Sequence, residues 1–303
     1  MAPSFNSPKQ ELEQGICGQH GWSTHYYQNG TMKWCVEVKW GAGPREGRVF
    51  VSDDEFYDLS KAGVKKGHAA AATVAIAGLR DIVDAANSKP TQTIEEAYGA
   101  HFDSMCVVMS GPEGWAKLWE MNPTYVAIDV EGNQVTPPVL VQVCVSTVQG
   151  EFCLLEIPNS HGLSDDMRRL LHDQQITKIF CDGTSGADRR SLGIEAHHNH
   201  ADLEDITAYL MGATGVQRGL ARILNLAWPQ KAVLVTKDQR DKKSVFFFAA
   251  IEQGKKPRLK ALDEIPDRIR RYAAMDAWCT MMAYLGLRQV AQHEGKIVPV
   301  LMI

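Results

Sequence analysis

Four acidic residues in three distant segments have the types and spacing to hold metal ions. Asp129 and Glu131 lie in VAIDVEG, Asp188 lies in KIFCDGTSGADRRSLGI, and Asp276 lies in RRYAAMDAW, four residues after Tyr272. Carboxylate oxygens are common ligands of divalent cations such as Mg²⁺ and Mn²⁺. Two such cations held close together promote hydrolysis of phosphodiester bonds. The segments therefore predict metal-dependent hydrolysis of a nucleic acid.

The spacing within two of these segments places their side chains on a common face. Asp129 and Glu131 are two residues apart on a predicted strand, so both leave the same side of the sheet while the intervening apolar residues point away. Tyr272 and Asp276 are four residues apart on a predicted helix, one turn apart on one face. Alanines flank Asp276, so we expect this helix to press against the sheet. A buried aspartate there needs a cation or a hydrogen-bond donor.

Each pattern also has a simpler interpretation. A D-x-E pair is common at the solvated end of a strand, and Tyr272 could hydrogen-bond Asp276 on an exposed helix face. Asp188 could be an acid favoured by the dipole at a helix N-terminus, and Asp182 in the same segment is a rival ligand. We predict Asp188 because the apolar anchor Leu192 follows it four residues later.

Composition and charge limit the classes of protein that fit. The chain has 303 residues, 45% apolar and 22% charged, which is typical of globular domains with a buried core. Its net charge of -4 gives no general attraction to nucleic acid, so a polyanion must be held by a local basic patch or by cations. Seven cysteines without a CxxC pair favour a reduced, cytoplasmic or nuclear location. No segment is apolar for long enough to predict a membrane span.

The apolar pattern predicts two domains joined by a linker. Residues 1–85 indicate a helix, three strands and a helix, and the polar residues 86–103 around Pro90 indicate a linker with room for one short helical turn. Residues 104–303 indicate strands followed by helices. This order predicts an α/β domain of ribonuclease-H-like architecture, with a mixed sheet flanked by helices.

The segments around the acids resemble the three motifs of the DEDD superfamily of 3′-5′ exonucleases, in its tyrosine-bearing (DEDDy) branch, which includes ribonuclease D. VAIDVEG is similar to the first motif and RRYAAMDAWCT to the third, and the resemblance covers about residues 104–290. It implies that Asp129, Glu131, Asp188 and Asp276 bind two Mg²⁺ or Mn²⁺ ions and that Tyr272 orients the attacking water. It also implies release of nucleoside 5′-monophosphates from the 3′ end of RNA.

The N-terminal region resembles a double-stranded-RNA-binding domain. The similar pieces are SPKQELE, the alternating strand KWCVEVKW and the helix GVKKGHAAAATVAIAGL, in which Lys65 and Lys66 match the family's phosphate-contacting positions. Residues 1–85 have nine Lys and Arg against ten Asp and Glu, a net charge of -1. Such a module is expected to bind duplex weakly. Contact with RNA and contact with a protein partner or a second copy both remain open for it.

A basic run in the C-terminal half is a second candidate RNA-binding segment. Lys242 and Lys243 precede Phe246, Phe247 and Phe248. Cations for phosphates and aromatic rings for base stacking suit a single-strand channel, although three consecutive phenylalanines are also typical of a core.

Two other functions stay open at this stage. A catalytically inactive adaptor with the same fold could bind RNA or protein, and a 3′-5′ DNA exonuclease could use the same acids, because the cluster does not distinguish the two sugars.

Overall fold

The computed structural model describes residues 7–17, 22–40, 46–87, 89–132, 138–195, 198–211, 219–228, 233–236, 242–293 and 295–298. The chain forms two compact units. The first comprises Met1–Gln92, Ile206–Val235 and Gly286–Val298, and the second comprises Thr93–Asp205, Thr236–Leu285 and Pro299–Ile303. This partition differs from the contiguous ranges expected from the sequence, and the assignment of functional domains to those ranges stays a prediction.

The N-terminal part of the first unit has the predicted order of helix, three strands and helix. The short helix α1 runs into a π-helical turn, and strand β2 lies between β1 and β3, antiparallel to both. The bounds are α1 Pro8–Gln10, the π-helical turn Glu11–Cys17, β1 Ser23–Gln28, β2 Lys33–Trp40, β3 Glu46–Glu55, α2 Lys61–Gly78 and α3 Arg80–Asn87.

Alternation along β2 builds the core of this part. Trp34, Val36 and Val38 are buried on one face of the strand, as a half-buried strand requires. Helix α2 covers that face closely. A Cβ added at Gly67 would lie 1.9 Å from the Trp34 ring, so only glycine allows this approach. The core includes the buried α2 side chains Ala71, Ala72 and Ala75.

The segment 86–103, predicted to be a linker, contains regular structure. Strand β4 spans Thr91–Thr93 and helix α4 spans Ile94–Met105. Thr93 and Glu96 form a capping box, in which the threonine side chain accepts the Glu96 backbone N–H and the glutamate accepts the Thr93 N–H. The polar composition of the segment had favoured a linker. The two hydrogen bonds of the capping box satisfy two of the free backbone N–H groups at the helix N-terminus.

The second unit contains a six-stranded mixed sheet flanked by helices, which confirms the predicted α/β architecture. The strand order is β10-β9-β6-β7-β8-β5, and only β7 runs against the others. Its strands are β5 Cys106–Ser110, β6 Tyr125–Glu131, β7 Leu140–Thr147, β8 Gly150–Glu156, β9 Thr177–Phe180 and β10 His200–Asp202.

The remaining helices follow the strands as predicted from the sequence, and a further short strand, β11, pairs with β4. Within the described ranges, no helix is both long and apolar enough to cross a membrane. The bounds are α5 Gly111–Glu120, α6 Asp165–His172, α7 Ala187–Ser191, α8 Leu203–Met211, α9 Leu220–Ala227, β11 Leu234–Thr236, α10 Lys242–Glu252 and α11 Asp267–His293.

The two faces of the large sheet have different coverings. One face carries Val126, Ile128 and Val130 of β6 into an apolar core with side chains of α5 and α6. The other face is contacted by α11, where the carbonyl oxygen of Ala274 lies 3.4 Å from Cys153 Sγ on β8. The α11 alanines that flank Asp276 are buried, as predicted, so the helix lies close to the sheet. They are Ala273, Ala274 and Ala277.

Candidate metal centre

Three of the four predicted acidic ligands come together in the second unit. Each of Asp129, Glu131 and Asp276 offers a carboxylate oxygen, and these atoms all lie within 4.8 Å of one another. All three side chains are partly buried. Carboxylates at this spacing can ligate one cation together, because Mg²⁺–O and Ca²⁺–O bonds are about 2.0–2.6 Å long.

Regular secondary structure fixes these positions. Asp129 and Glu131 leave β6 on the face opposite Val126 and Ile128, as the alternation predicted. Asp276 faces them from α11, and its backbone carbonyl accepts a hydrogen bond from the Thr280 hydroxyl at 3.0 Å. Because a strand and a helix position the acids, little chain entropy opposes their assembly in the folded protein.

The carboxyl of Asp129 lies in an environment that disfavours its ionised form. Burial, and then the neighbouring Asp276 carboxylate, raise its pKa to about 8, with a smaller contribution from Asp182, while a backbone hydrogen bond at Val130 opposes the rise. A bound cation reverses this effect, since its own charge dominates the local field. Three hard oxygen donors and the repulsion between Asp129 and Asp276 fit Mg²⁺ or Mn²⁺.

Asp182, the alternative candidate for the fourth ligand, is hydrogen-bonded within its own loop. Its side chain is 3% exposed and lies 3.5 Å from the Arg189 guanidinium. It accepts hydrogen bonds from the Ser185 hydroxyl at 2.9 Å and from the backbone N–H groups of Ala187 and Arg189 at 2.7 and 3.2 Å. These bonds hold the turn that leads into α7, where Asp188 lies buried in the first turn. Asp188 is outside the group of three among the described residues and stays a predicted ligand, favoured by the commitment of Asp182.

Asp202 is a further buried aspartate, which was not among the predicted site residues. Its side chain has no exposed surface and lies 3.6 Å from Arg189 Nη2. It accepts the backbone N–H groups of Asp182, Gly183 and Glu204 at 3.1, 2.9 and 2.8 Å. Asp202 therefore ties the loop after β9 to the start of α8. The available signal was an aspartate directly before an amphipathic helix, which is an N-cap pattern.

A glycine in the segment CDGTSGADRR, which contains Asp182 and Asp188, has a steric reason. Gly183 has φ of +58°, and a Cβ there would meet Glu204 Oε2 at 2.3 Å. A side chain at this position would be both strained and in collision with Glu204. Glycine at position 183 thus lets the loop pass close to Glu204 at the start of α8.

The acids also surround a thiol at the end of β9. Burial raises the pKa of Cys181 well above its ordinary value, and the charges of Asp202, Asp129, Glu204 and Asp276 raise it further. The loop acids and the predicted metal ligands thus act on the same side chain, which shows how far negative charge is concentrated here.

The other predicted site residues lie on the helices α11, α2 and α10. Tyr272 is partly buried on α11, one turn before Asp276. Lys65 and Lys66 are exposed on α2. Lys242 and Lys243 are the first residues of α10, and their side chains lie outside the described residues.

Gln142 is a polar residue beside the site that the sequence analysis did not select. It pairs directly with Asp129 across β6 and β7, so the two side chains lie on one face with Cβ atoms about 5 Å apart. Gln142 is fully buried, and neither its amide nitrogen nor its amide oxygen has a hydrogen-bond partner among the described residues. The signal was a single polar residue in the apolar run VLVQVCV.

Replacing Gln142 with methionine is expected to raise the free energy of unfolding of the metal-free protein by about 1–3 kcal/mol, because a buried amide without partners is removed at nearly constant volume. Urea unfolding with an unchanged m-value measures this change. Gln149→Met, on the exposed turn after β7, is the control and should change stability by less than about 0.5 kcal/mol. Destabilisation by Gln142→Met would show that the amide is satisfied in solution.

Comparison with known proteins gives resemblances at the level of structure only. No protein-family model and no curated protein matches the chain. Brucella melitensis NrnC is 18% identical, with 63% of this chain and 83% of that chain covered and a TM-score of 0.40. NrnC bound to pGG gives 17% identity, the same coverages and a TM-score of 0.41.

Three further solved structures are of two exonucleases. Escherichia coli RNase D, an exoribonuclease involved in structured RNA processing, is 16% identical, with 62% of this chain and 46% of that chain covered and a TM-score of 0.39. The EXD2 exonuclease domain, soaked in Mg and dGMP, is 15% identical, with 63% and 92% covered and a TM-score of 0.27. A second EXD2 structure was soaked in Mn and dGMP. At these low identities and TM-scores, the resemblance concerns the fold and says nothing of the activity of this chain.

Proposed function

We propose that this chain is a metal-dependent 3′-5′ exoribonuclease, which hydrolyses phosphodiester bonds and releases nucleoside 5′-monophosphates from the 3′ end of RNA. The observation that supports this most strongly is the group of Asp129, Glu131 and Asp276, whose carboxylate oxygens lie within 4.8 Å. A phosphodiester is itself an anion, so a site rich in carboxylates can accept it only together with cations.

Two Mg²⁺ or Mn²⁺ ions are the proposed cofactors. Asp129, Glu131 and Asp276 would hold the first, and Asp129 with Asp188 would serve the second, as the resemblance to DEDDy exonucleases implies. When bound, such ions stabilise charge on phosphoryl oxygens and lower the pKa of a bound water.

The chain's own residues position the reacting groups. Tyr272 precedes Asp276 by one turn of α11, so their Cβ atoms are about 5–6 Å apart on one face of the helix. This spacing lets Tyr272 hydrogen-bond a water next to the carboxylates. Because β6 and α11 are each packed against a core, the carboxylates need little reorganisation during the reaction.

A labelled RNA tests the direction and the substrate. An RNA with a 5′ label and a single-stranded 3′ tail, incubated with Mn²⁺, should shorten one nucleotide at a time, because the cleavable end is the 3′ end. A DNA of the same sequence should shorten more slowly. Equal rates on RNA and DNA would indicate a nuclease without sugar preference. Faster cleavage of DNA would indicate a DNA exonuclease. Binding of Mn²⁺ with no hydrolysis of either strand would support the inactive adaptor instead.

The N-terminal helix α2 is the proposed contact for duplex RNA. Lys65 and Lys66 are exposed on one stretch of this helix, shortly after the N-cap Ser60. Two adjacent exposed cations near a helix N-terminus suit contact with phosphates across a groove. The near-neutral charge of the region predicts that these two residues supply much of the affinity.

Replacing Lys65 and Lys66 together with glutamine is expected to weaken duplex RNA binding and to reduce the slope of log K against log salt by roughly 2, because each neutralised phosphate contributes about 0.9 to that slope. Fluorescence anisotropy at several salt concentrations measures both. Arg48→Gln with Arg80→Gln removes the same charge from exposed positions of the same region and serves as control. Equal decreases in affinity for both double variants would argue for a general charge effect. An unchanged slope would favour docking of a protein or a second copy.

Helix α10 is the proposed contact for single-stranded RNA. Phe246 is 69% exposed, and the Lys256 ammonium lies 4.6 Å from the Phe247 ring centroid. An exposed aromatic ring next to basic residues can stack a base while cations meet its phosphate. Lys242 and Lys243, which begin this helix, would add to this contact.

A further inference from the structure

Three cysteines form a group on one face of the large sheet. Cys144 on β7 pairs directly with Cys153 on β8, and Cys106 on β5 has its Sγ atom 3.5 Å from Cys153 Sγ. All three are free thiols. No part of the proposed nuclease chemistry uses them.

Cys106 is accessible from a surface cleft. It lines a cleft of about 480 Å³ with Phe102 and Val108, and the rim carries three carboxylates and three arginines of α4 and α11. The rim charges balance, so the cleft has no preference for an ionic reagent. Cys106 is partly exposed at this cleft, so a small neutral molecule can approach it, whereas Cys144 and Cys153 are fully buried.

The neighbouring thiols stabilise the reactive form of Cys106. The side-chain hydrogen bonds between Cys106 and Cys144, and then between Cys106 and Cys153, lower the pKa of Cys106 to about 5, against burial, which raises it. The thiolate is the nucleophilic form of cysteine. The pKa of Cys153 is raised well above its ordinary value, mainly by burial. Its sulfur also lies 3.4 Å from the Ala274 carbonyl oxygen, an acceptor that favours the protonated form. One accessible thiolate thus lies beside a protonated thiol.

We propose that Cys106 is a hydroperoxide-reactive thiol and that Cys153 is its resolving partner. In the first step the Cys106 sulfur attacks the O–O bond of the peroxide, forms an S–O bond and releases hydroxide or alkoxide, which takes up a proton. In the second step Cys153 attacks that sulfur, the S–O bond breaks, and the Cys153 proton leaves with the hydroxyl as water. Two thiols are oxidised to one disulfide and one hydroperoxide is reduced.

The strand arrangement permits this closure. A disulfide needs the sulfur atoms at about 2.05 Å, so the pair must approach by about 1.5 Å from its 3.5 Å separation. In the parallel pairing of β5 with β8, Cys153 is opposite Val108, so Cys106 is its diagonal neighbour. Diagonal pairs are slightly too far apart to bridge without backbone movement. β5 is the edge strand, and a strand paired on one side only can make that movement.

Mass spectrometry of the full chain tests the proposal. Reduced protein is treated with hydrogen peroxide at pH 7, blocked with N-ethylmaleimide and mapped by peptide. We expect a Cys106–Cys153 disulfide, seen as a mass decrease of about 2 Da that dithiothreitol reverses. Cys17 and Cys35, which are buried in the first unit, should react at least about tenfold more slowly. The result does not depend on nuclease activity or on metal.

Three serine variants separate the steps. Cys153→Ser should stop at the sulfenic acid, which dimedone traps on Cys106, and Cys106→Ser should give neither product. Cys144→Ser should still form the disulfide. Equal reactivity of Cys106 and the buried reference cysteines would overturn the reactive thiol. A Cys106–Cys144 disulfide, or a persistent sulfenic acid in the unmodified chain, would overturn the assignment of Cys153. Circular dichroism confirms that each variant is folded.

Discussion

Asparagine in place of Asp276 or Asp129 is expected to lower the rate of RNA hydrolysis by at least about a thousandfold. Holding a cation against the substrate contributes several kcal/mol of transition-state stabilisation, and each 1.36 kcal/mol is a factor of ten in rate. Asparagine keeps the shape of the side chain and removes its charge. Rates of shortening of the 5′-labelled RNA, measured at saturating Mn²⁺, give the size of the decrease.

The control for this experiment lies on the same helix. Asp267 begins α11, its side chain is 92% exposed, and its partner is Arg270. Asp267→Asn should leave the rate within about twofold of the unmodified chain, because exposed ion pairs contribute little. Retained hydrolysis in Asp276→Asn, with the control also active, would place the chemistry outside the carboxylate group.

Addition of Mn²⁺ is expected to raise the melting temperature of the unmodified chain by about 5–10 °C at a hundredfold excess over the dissociation constant. A ligand that binds only the folded state adds about 2.7 kcal/mol at that concentration, and each kcal/mol corresponds to about 2–4 °C for a domain of this size. Differential scanning fluorimetry with and without EDTA measures the shift. Asp276→Asn should lose most of the shift, whereas Asp267→Asn should keep it.

Without metal, burial and the neighbouring Asp276 carboxylate should make ionised Asp129 unfavourable to the folded state. The pKa of Asp129 is raised to about 8 in the folded chain, against about 3.9 when unfolded. Between these values the folded state holds a proton that the unfolded state has released, so this group makes stability fall as pH rises from about 4 to about 8. Asp129→Asn should therefore raise the melting temperature without metal at pH 7 and flatten this dependence. A lower melting temperature for Asp129→Asn at pH 7 would contradict the assignment of repulsion.

Local periodicity made several features readable before the structure. The two-residue repeat of VAIDVEG set Asp129 and Glu131 on one face and the valines on the other, and the structure confirms this arrangement. The four-residue spacing of Tyr272 and Asp276 and the buried alanines around them follow in the same way from helix geometry. These properties depend only on backbone repeats, which each segment carries by itself.

Local signals also failed where two of them competed. The capping box of Thr93 and Glu96 begins α4 inside the segment predicted as a linker. The polar composition and Pro90 indicated a loop, but two reciprocal hydrogen bonds at the helix start outweighed them. The capping-box residues are visible in the sequence TQTIEEAY.

The sequence alone predicted which acids would ligate a metal, and it determined which face of its own element each one occupies. Only the tertiary structure decided that β6 and α11 bring three carboxylates within 4.8 Å, that Gln142 lies opposite Asp129, and that Asp182 serves its own loop. The physical reason is that a repeat of two or 3.6 residues is a property of the backbone, whereas strand order and helix docking depend on burying apolar surface from segments far apart in the chain.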